Sequence, residues 1–79
     1  MARFRFHLST DDDSLVDTHG VELADVAAAR NHARNAIADI IRDELAGGKD
    51  DVKLVILVSD AAGDRVFETT AILTCRHVG

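Results

Sequence analysis

Five consecutive apolar residues, Leu54-Val55-Ile56-Leu57-Val58, constrain this chain more than any other feature. The run is far short of the roughly 20 residues a membrane helix needs. It reads as a strand over Val52 to Ser59 that is apolar on both faces, and such a strand prefers the interior of a sheet with both sides covered. Yet the chain has only 79 residues. A domain of that size buries about 60–65% of the surface its unfolded chain exposes. Of its apolar residues twelve are Ala, and twenty-three are Val, Ile, Leu or Phe, enough for one two-layer core. One side of the doubly apolar strand is therefore hard to cover.

The rest of the chain supplies one helix and three more strands. From Ala2 to Leu8, Phe4, Phe6 and Leu8 alternate with Arg3, Arg5 and His7, the period of a half-buried strand. Ser9 to Asp13 reads as a hairpin loop and Leu15 to His19 as a short return strand at the edge. Gly20 then reverses the chain. From about Ala24 to Leu45 the spacing turns helical, with Val26, Ala29, Arg30, Ala33, Ile37, Ile40, Ile41 and Glu44 on one stripe. Asp25 suits the N-cap or first turn, Gly47-Gly48 supplies a C′ glycine that stops the helix, and Arg42 suits the negative end of the helix dipole. Asp60-Ala61-Ala62-Gly63 has the residues of a type I turn with a bulge, Gly63 taking the positive φ. Arg65 to Leu73 is the last strand, and 74–79 a short tail.

The expected fold is α+β, in the order β-β-α-β-β. One helix packs on one face of a four-stranded antiparallel sheet, with strand order 2-1-3-4 and the helix crossing over strand 1. Residues 1–79 make a single domain.

Charge narrows the partners. Fourteen acidic residues face nine basic ones, a net charge of −5. That balance opposes nucleic acid and anionic membranes unless the bases gather on one surface. Arg3, Arg5 and His7 share one face of the first strand and are the best such group, suited to RNA or an acidic partner. With no Trp or Tyr and three Phe, a base-stacking platform is poorly supplied. The alternating N-terminus is no secretory signal, and a lone cysteine suits a reducing cytoplasm.

No motif points to chemistry. Asp11-Asp12-Asp13 lacks the alternate ligand spacing and distant Glu of a calcium loop and reads as a solvated turn. His7, His19, His32 and His77 with Cys75 offer one Cys-x-His pair but no second pair, so no zinc site is expected, and His32 is placed on the solvent side of the helix. Cys75 sits too near the end of the chain to be held as a nucleophile. Asp17 and Glu22 read as an acidic pocket at the helix entrance or, preferably, as local structure: Gly20 turns the chain, Glu22 serves the positive helix end and Leu23 staples the first turn.

The ordered set Phe4-Arg5-Phe6, Asp17-Thr18-His19-Gly20-Val21-Glu22-Leu23, Asp25, Ala28-Ala29-Arg30 and Asp60-Ala61-Ala62-Gly63 resembles a family of short bacterial proteins, common in rhizobia and related alphaproteobacteria, known only as a domain of unknown function. The family often has another aromatic in the first strand and a Gly in the first hairpin, where Arg5 and Asp13 stand here. The resemblance supports the fold and implies no activity.

The functional expectation is a small, non-enzymatic interaction module, homodimeric through its sheet, without cofactor or metal. Its candidate contact residues are Val55, Ile56, Leu57, Arg3 and Arg5. Gly20, Glu22, Asp25, Gly47, Asp60 and Gly63 are expected to serve turns and caps. The alternative is a sheet that binds RNA or an acidic partner through Arg3, Arg5 and His7.

Overall fold

A computed structural model describes residues 1–78, so of the expected tail Gly79 lies outside the described residues. The order is β1 (Ala2–Ser9), β2 (Ser14–Leu15), β3 (Val21–Leu23), α1 (Val26–Ala46), β4 (Asp51–Ser59) and β5 (Arg65–Thr74). The fold is α+β, one helix against an antiparallel sheet of five strands in the order β2-β1-β4-β5, with β3 also on β1. The expected 2-1-3-4 arrangement is present, with its second strand in two pieces.

That division corrects the return strand. β2 pairs Leu8 with Leu15 and Ser9 with Ser14, and β3 pairs Ala2 with Leu23, Arg3 with Glu22 and Phe4 with Val21. Residues 16–20 leave the ladder between them, and Asp17 fills the gap. Its Oδ2 accepts the Phe6 N–H at 3.1 Å, and its Oδ1 accepts the N–H groups of His19 and Gly20 at 3.0 and 2.9 Å. A side chain thus takes the place of the strand partner that Phe6 lacks. Gly20 closes this loop at φ 75°, where a Cβ would stand 2.8 Å from the Phe4 carbonyl oxygen. Gly20 therefore reverses the chain, as expected, and returns it to the sheet as β3.

β4 is interior, as its sequence demands. It pairs with β1 from Arg5↔Ser59 to Ser9↔Val55 and with β5 from Asp51↔Thr74 to Ser59↔Arg65. Val52, Leu54, Ile56 and Val58 face the helix and are buried, with Leu54 at 1% and Val58 at 0% exposure. Phe4, Ala29, Ala33 and Ile37 complete the core. Full burial of a Leu or Val side chain contributes about 1.5–3 kcal/mol. Ile40 and Ile41 pack against this core half-buried, and Val26, Arg30 and Leu45 are exposed, so the buried helix stripe is narrower than its spacing implied. The helix lies over β4 and β5 with contacts to β3, rather than mainly over β1.

The helix ends are set by local chemistry. Asp25 is the N-cap, its Oδ1 accepting the Ala28 N–H at 2.8 Å. At the other end Gly47 is the C-cap in ordinary right-handed geometry, and it is Gly48 that takes the left-handed turn, at φ 86°. Gly48 N–H donates to Leu45 O and Lys49 N–H to Glu44 O, the paired bonds of a Schellman motif. Arg42 pairs with Asp39 at 3.1 Å. In the last hairpin Asp60 Oδ1 accepts the N–H groups of Ala62 and Asp64, with Gly63 at φ 87° as expected. β5 runs through Thr74, and the Cys75 N–H donates to Asp50 O at 2.7 Å, so the free tail starts later than position 74.

Candidate interaction surface

Strand alternation decides what the uncovered face carries. With Leu54, Ile56 and Val58 turned to the helix, Val55 and Leu57 face the other way, half-buried. Ile56, expected among the contact residues, belongs to the core instead, at 3% exposure. Register places Glu68, Leu57 and His7 in one row of the open face and Thr70, Val55 and Ser9 in the next, with Ile72 beside Lys53. Ile72 is 71% exposed. It was not singled out from the sequence, although it shares the parity of Glu68 and Thr70. The patch is apolar along Leu57, Val55 and Ile72 and polar at its margins.

The basic end of this face is less available than the sequence implied. Arg3 donates to the His19 carbonyl at 2.7 Å and forms an ion pair with Glu22 at 3.2 Å. Glu22 therefore serves its cross-strand partner and not the helix end, and Leu23 ends β3. Asp17 and Glu22 do not form a shared acidic pocket, because each is engaged elsewhere. Arg5 is exposed in the row that holds Ser59 and Arg65.

His7 lies between two other residues. Its Nδ1 accepts the Asp17 backbone N–H at 3.2 Å, and its Nε2 lies 3.3 Å from Ser59 Oγ. Serine, histidine and aspartate thus meet, but with roles that oppose catalysis. A base for Ser59 needs Nε2 free of its proton and Nδ1–H held by a carboxylate. Here Nδ1 accepts, so the neutral ring carries its proton on Nε2 and donates it to Ser59. The Asp17 carboxylate is spent on backbone amides. Those bonds, to Gly20 first and then Phe6, outweigh partial burial and hold its pKa below the ordinary 3.8, with the His19 N–H acting in the same direction.

His32 is exposed, but its ring meets Phe6 at 4.7 Å between centroids, so it marks the β1 side of the helix instead of pointing straight to solvent. Thr10 accepts and donates within the first hairpin, tying Asp13 into a turn. A cleft of about 290 Å³ separates Asp11 and Asp12 from the helix C-terminus. Lys49 crosses its wall to Glu44 at 2.9 Å, and that hydrogen bond, then the carboxylate's charge, keeps the ammonium pKa above its ordinary 10.5. Among the described residues no group of three or more His, Cys, Asp or Glu side chains is placed to hold a metal ion, and no helix is long and apolar enough to cross a membrane. Cys75 is exposed and unpaired.

Helix, sheet and open face together define a small α+β domain with one apolar sheet surface left uncovered. The chain belongs to the family described as Domain of unknown function (DUF6894), whose model matches residues 3–72. No curated protein and no solved structure matches it.

Proposed function

We propose that this chain is an association module that performs no chemistry of its own and works as a homodimer built through its sheet. The observation that carries this reading is the second side of β4. Val55 and Leu57, with Ile72 beside them, lie on a face that no element among the described residues covers. Contiguous apolar surface of that kind marks protein contacts. The total surface supports it. At 5546 Å² it exceeds the area usual for a compact monomer of 8.5 kDa by roughly 900 Å². A reducing bacterial cytoplasm fits the lone exposed thiol of Cys75.

The alternative, RNA or an acidic partner on Arg3, Arg5 and His7, has less support. Arg3 and His7 are already engaged. Phe4, Phe6 and Phe67 all lie on the helix side, so no aromatic ring is offered to a base on the open face. Sedimentation equilibrium at tens of micromolar tests the main reading. A dimer mass that persists at high salt is expected. A mass near 8.5 kDa would sink it. RNA binding that Arg3→Glu with Arg5→Glu abolishes would favour the alternative.

A further inference from the structure

The two edges of the sheet differ in kind. On one side β2 and β3 offer two and three residues, separated by the Asp17 loop. On the other, β5 runs for ten residues with one bulge, at Val66 near its start. Past Glu68 it reads Thr69-Thr70-Ala71-Ile72-Leu73-Thr74, without charge, Pro or Gly, and so lacks the usual guards of a free edge.

Its free hydrogen-bonding groups can be assigned. Cys75 N–H points inward, to Asp50 O. Backbone direction alternates along an antiparallel strand. Leu73, Ala71, Thr69 and Phe67 therefore turn their N–H and C=O groups to β4, and Thr74, Ile72, Thr70 and Glu68 turn theirs outward.

Resting on the homodimer reading above, but on the β5 edge rather than the open face, which this pairing leaves uncovered at Val55 and Leu57, we propose that two copies of this chain pair through β5, antiparallel about a two-fold axis between their Thr70 residues. The two sheets become one, with both helices on the same side. In this register Thr70 exchanges both backbone hydrogen bonds with Thr70 of the second copy, and Ile72 lies opposite Glu68. On the helix side Phe67 meets Leu73 and Thr69 meets Ala71. Phe67 and Leu73 are half-buried at the edge, each packed on the core from one side only. Sliding by two residues sets Phe67 against Ala71 or Cys75 and Leu73 against Arg65 or Thr69, which wastes both.

The helices fit the same geometry. Each lies over β4 and β5, so the two-fold sets them two strand spacings apart, about 9.6 Å. Packed helices lie 8–10 Å apart. The flank facing the second helix is the one opposite His32, which touches Phe6 on the β1 side. At about 100° per residue it carries Ile41 and Leu45 with Arg34 between them, and Arg30 lies on the margin toward the core. Leu45 is 45% exposed. The roughly 900 Å² of extra surface is close to the ~800 Å² each partner contributes to a standard interface.

Sedimentation equilibrium on the full chain and four variants tests the pairing, with circular dichroism to confirm folding. Thr70→Pro removes an outward N–H and leaves the β4–β5 ladder intact, so a folded monomer is expected. Ile72→Glu sets Glu against Glu68 twice per dimer and should raise the dissociation constant about tenfold, whereas Ile72→Lys, which faces the same Glu68, should keep the dimer. Equal effects of Ile72→Glu and Ile72→Lys, or a Thr70→Pro dimer, would overturn the pairing. If Thr70→Pro fails to fold, the Ile72 pair decides alone. Splitting by Leu57→Glu without splitting by Thr70→Pro would move the contact to the open face and preserve the association reading. A wild-type monomer would remove both.

Discussion

Among the described residues Asp17 accepts more backbone hydrogen bonds than any other side chain. One carboxylate accepts three backbone N–H groups, one from β1 and two from the loop that breaks the second strand. Hydrogen bonds to a charged group contribute about 1.5–3 kcal/mol, and unmet donors are costly. Because its folded pKa is lowered, the stability it adds is complete above the unfolded value. That stability is lost as the pH falls through about 4 toward the folded value. Asp17→Asn should therefore cost about 1–3 kcal/mol near neutral pH and narrow the gap between urea melts at neutral pH and at pH 3. An unchanged gap would assign the acid sensitivity to other carboxylates. Gly20 gives a second residue-scale test. A Cβ there meets the Phe4 carbonyl at 2.8 Å, while one at Gly48 meets nothing within 4 Å, though both residues have positive φ. Gly20→Ala should be the more destabilising in thermal melts. The reverse order would mean that the Phe4 strand yields freely.

Among the elements, those with a local period were legible and those without one were not. β1 alternates, the helix repeats at 3–4 and the last hairpin carries its own Asp60 and Gly63, so each follows from neighbours in sequence. The second strand has no such period. Its break depends on a hydrogen bond from Phe6, eleven residues away. The helix end was ambiguous because Gly47 and Gly48 are adjacent, and only the Schellman bonds show which is left-handed. The orientation of β4 had an unused signal: Val52, Leu54, Ile56 and Val58 make four apolar residues on one side, whereas Lys53 and Asp51 share the other with Val55 and Leu57. The helix itself yields a graded test. Ile37 is buried at 8% exposure and Ile40 only partly so. Ile37→Ala should cost about 2–5 kcal/mol in urea melts and Ile40→Ala less. A larger loss at Ile40 would show the helix rotated about its axis.

The whole molecule is long and thin, 51 × 22 × 17 Å with a radius of gyration of 14.1 Å, against about 11.6 Å for a compact chain of this length. Its buried core is small, Phe4 with seven aliphatic residues, and its single cysteine allows no internal disulfide. Melting should be the same with and without EDTA, and a lower midpoint with EDTA would reveal a bound ion. The candidate contact surface was half legible: Val55 and Leu57 follow from the β4 run, whereas the engagement of Arg3 and His7 depends on partners far along the chain.

The gap that Asp17 fills has a consequence for growth. An incoming strand needs a run of free donors and acceptors to copy, and this rim has two residues, then a loop, then three. Whatever adds to β5, the opposite rim is a poor template for the next chain. Assembly through β5, as proposed, would therefore stop at two copies, without the fibril that two open rims would permit.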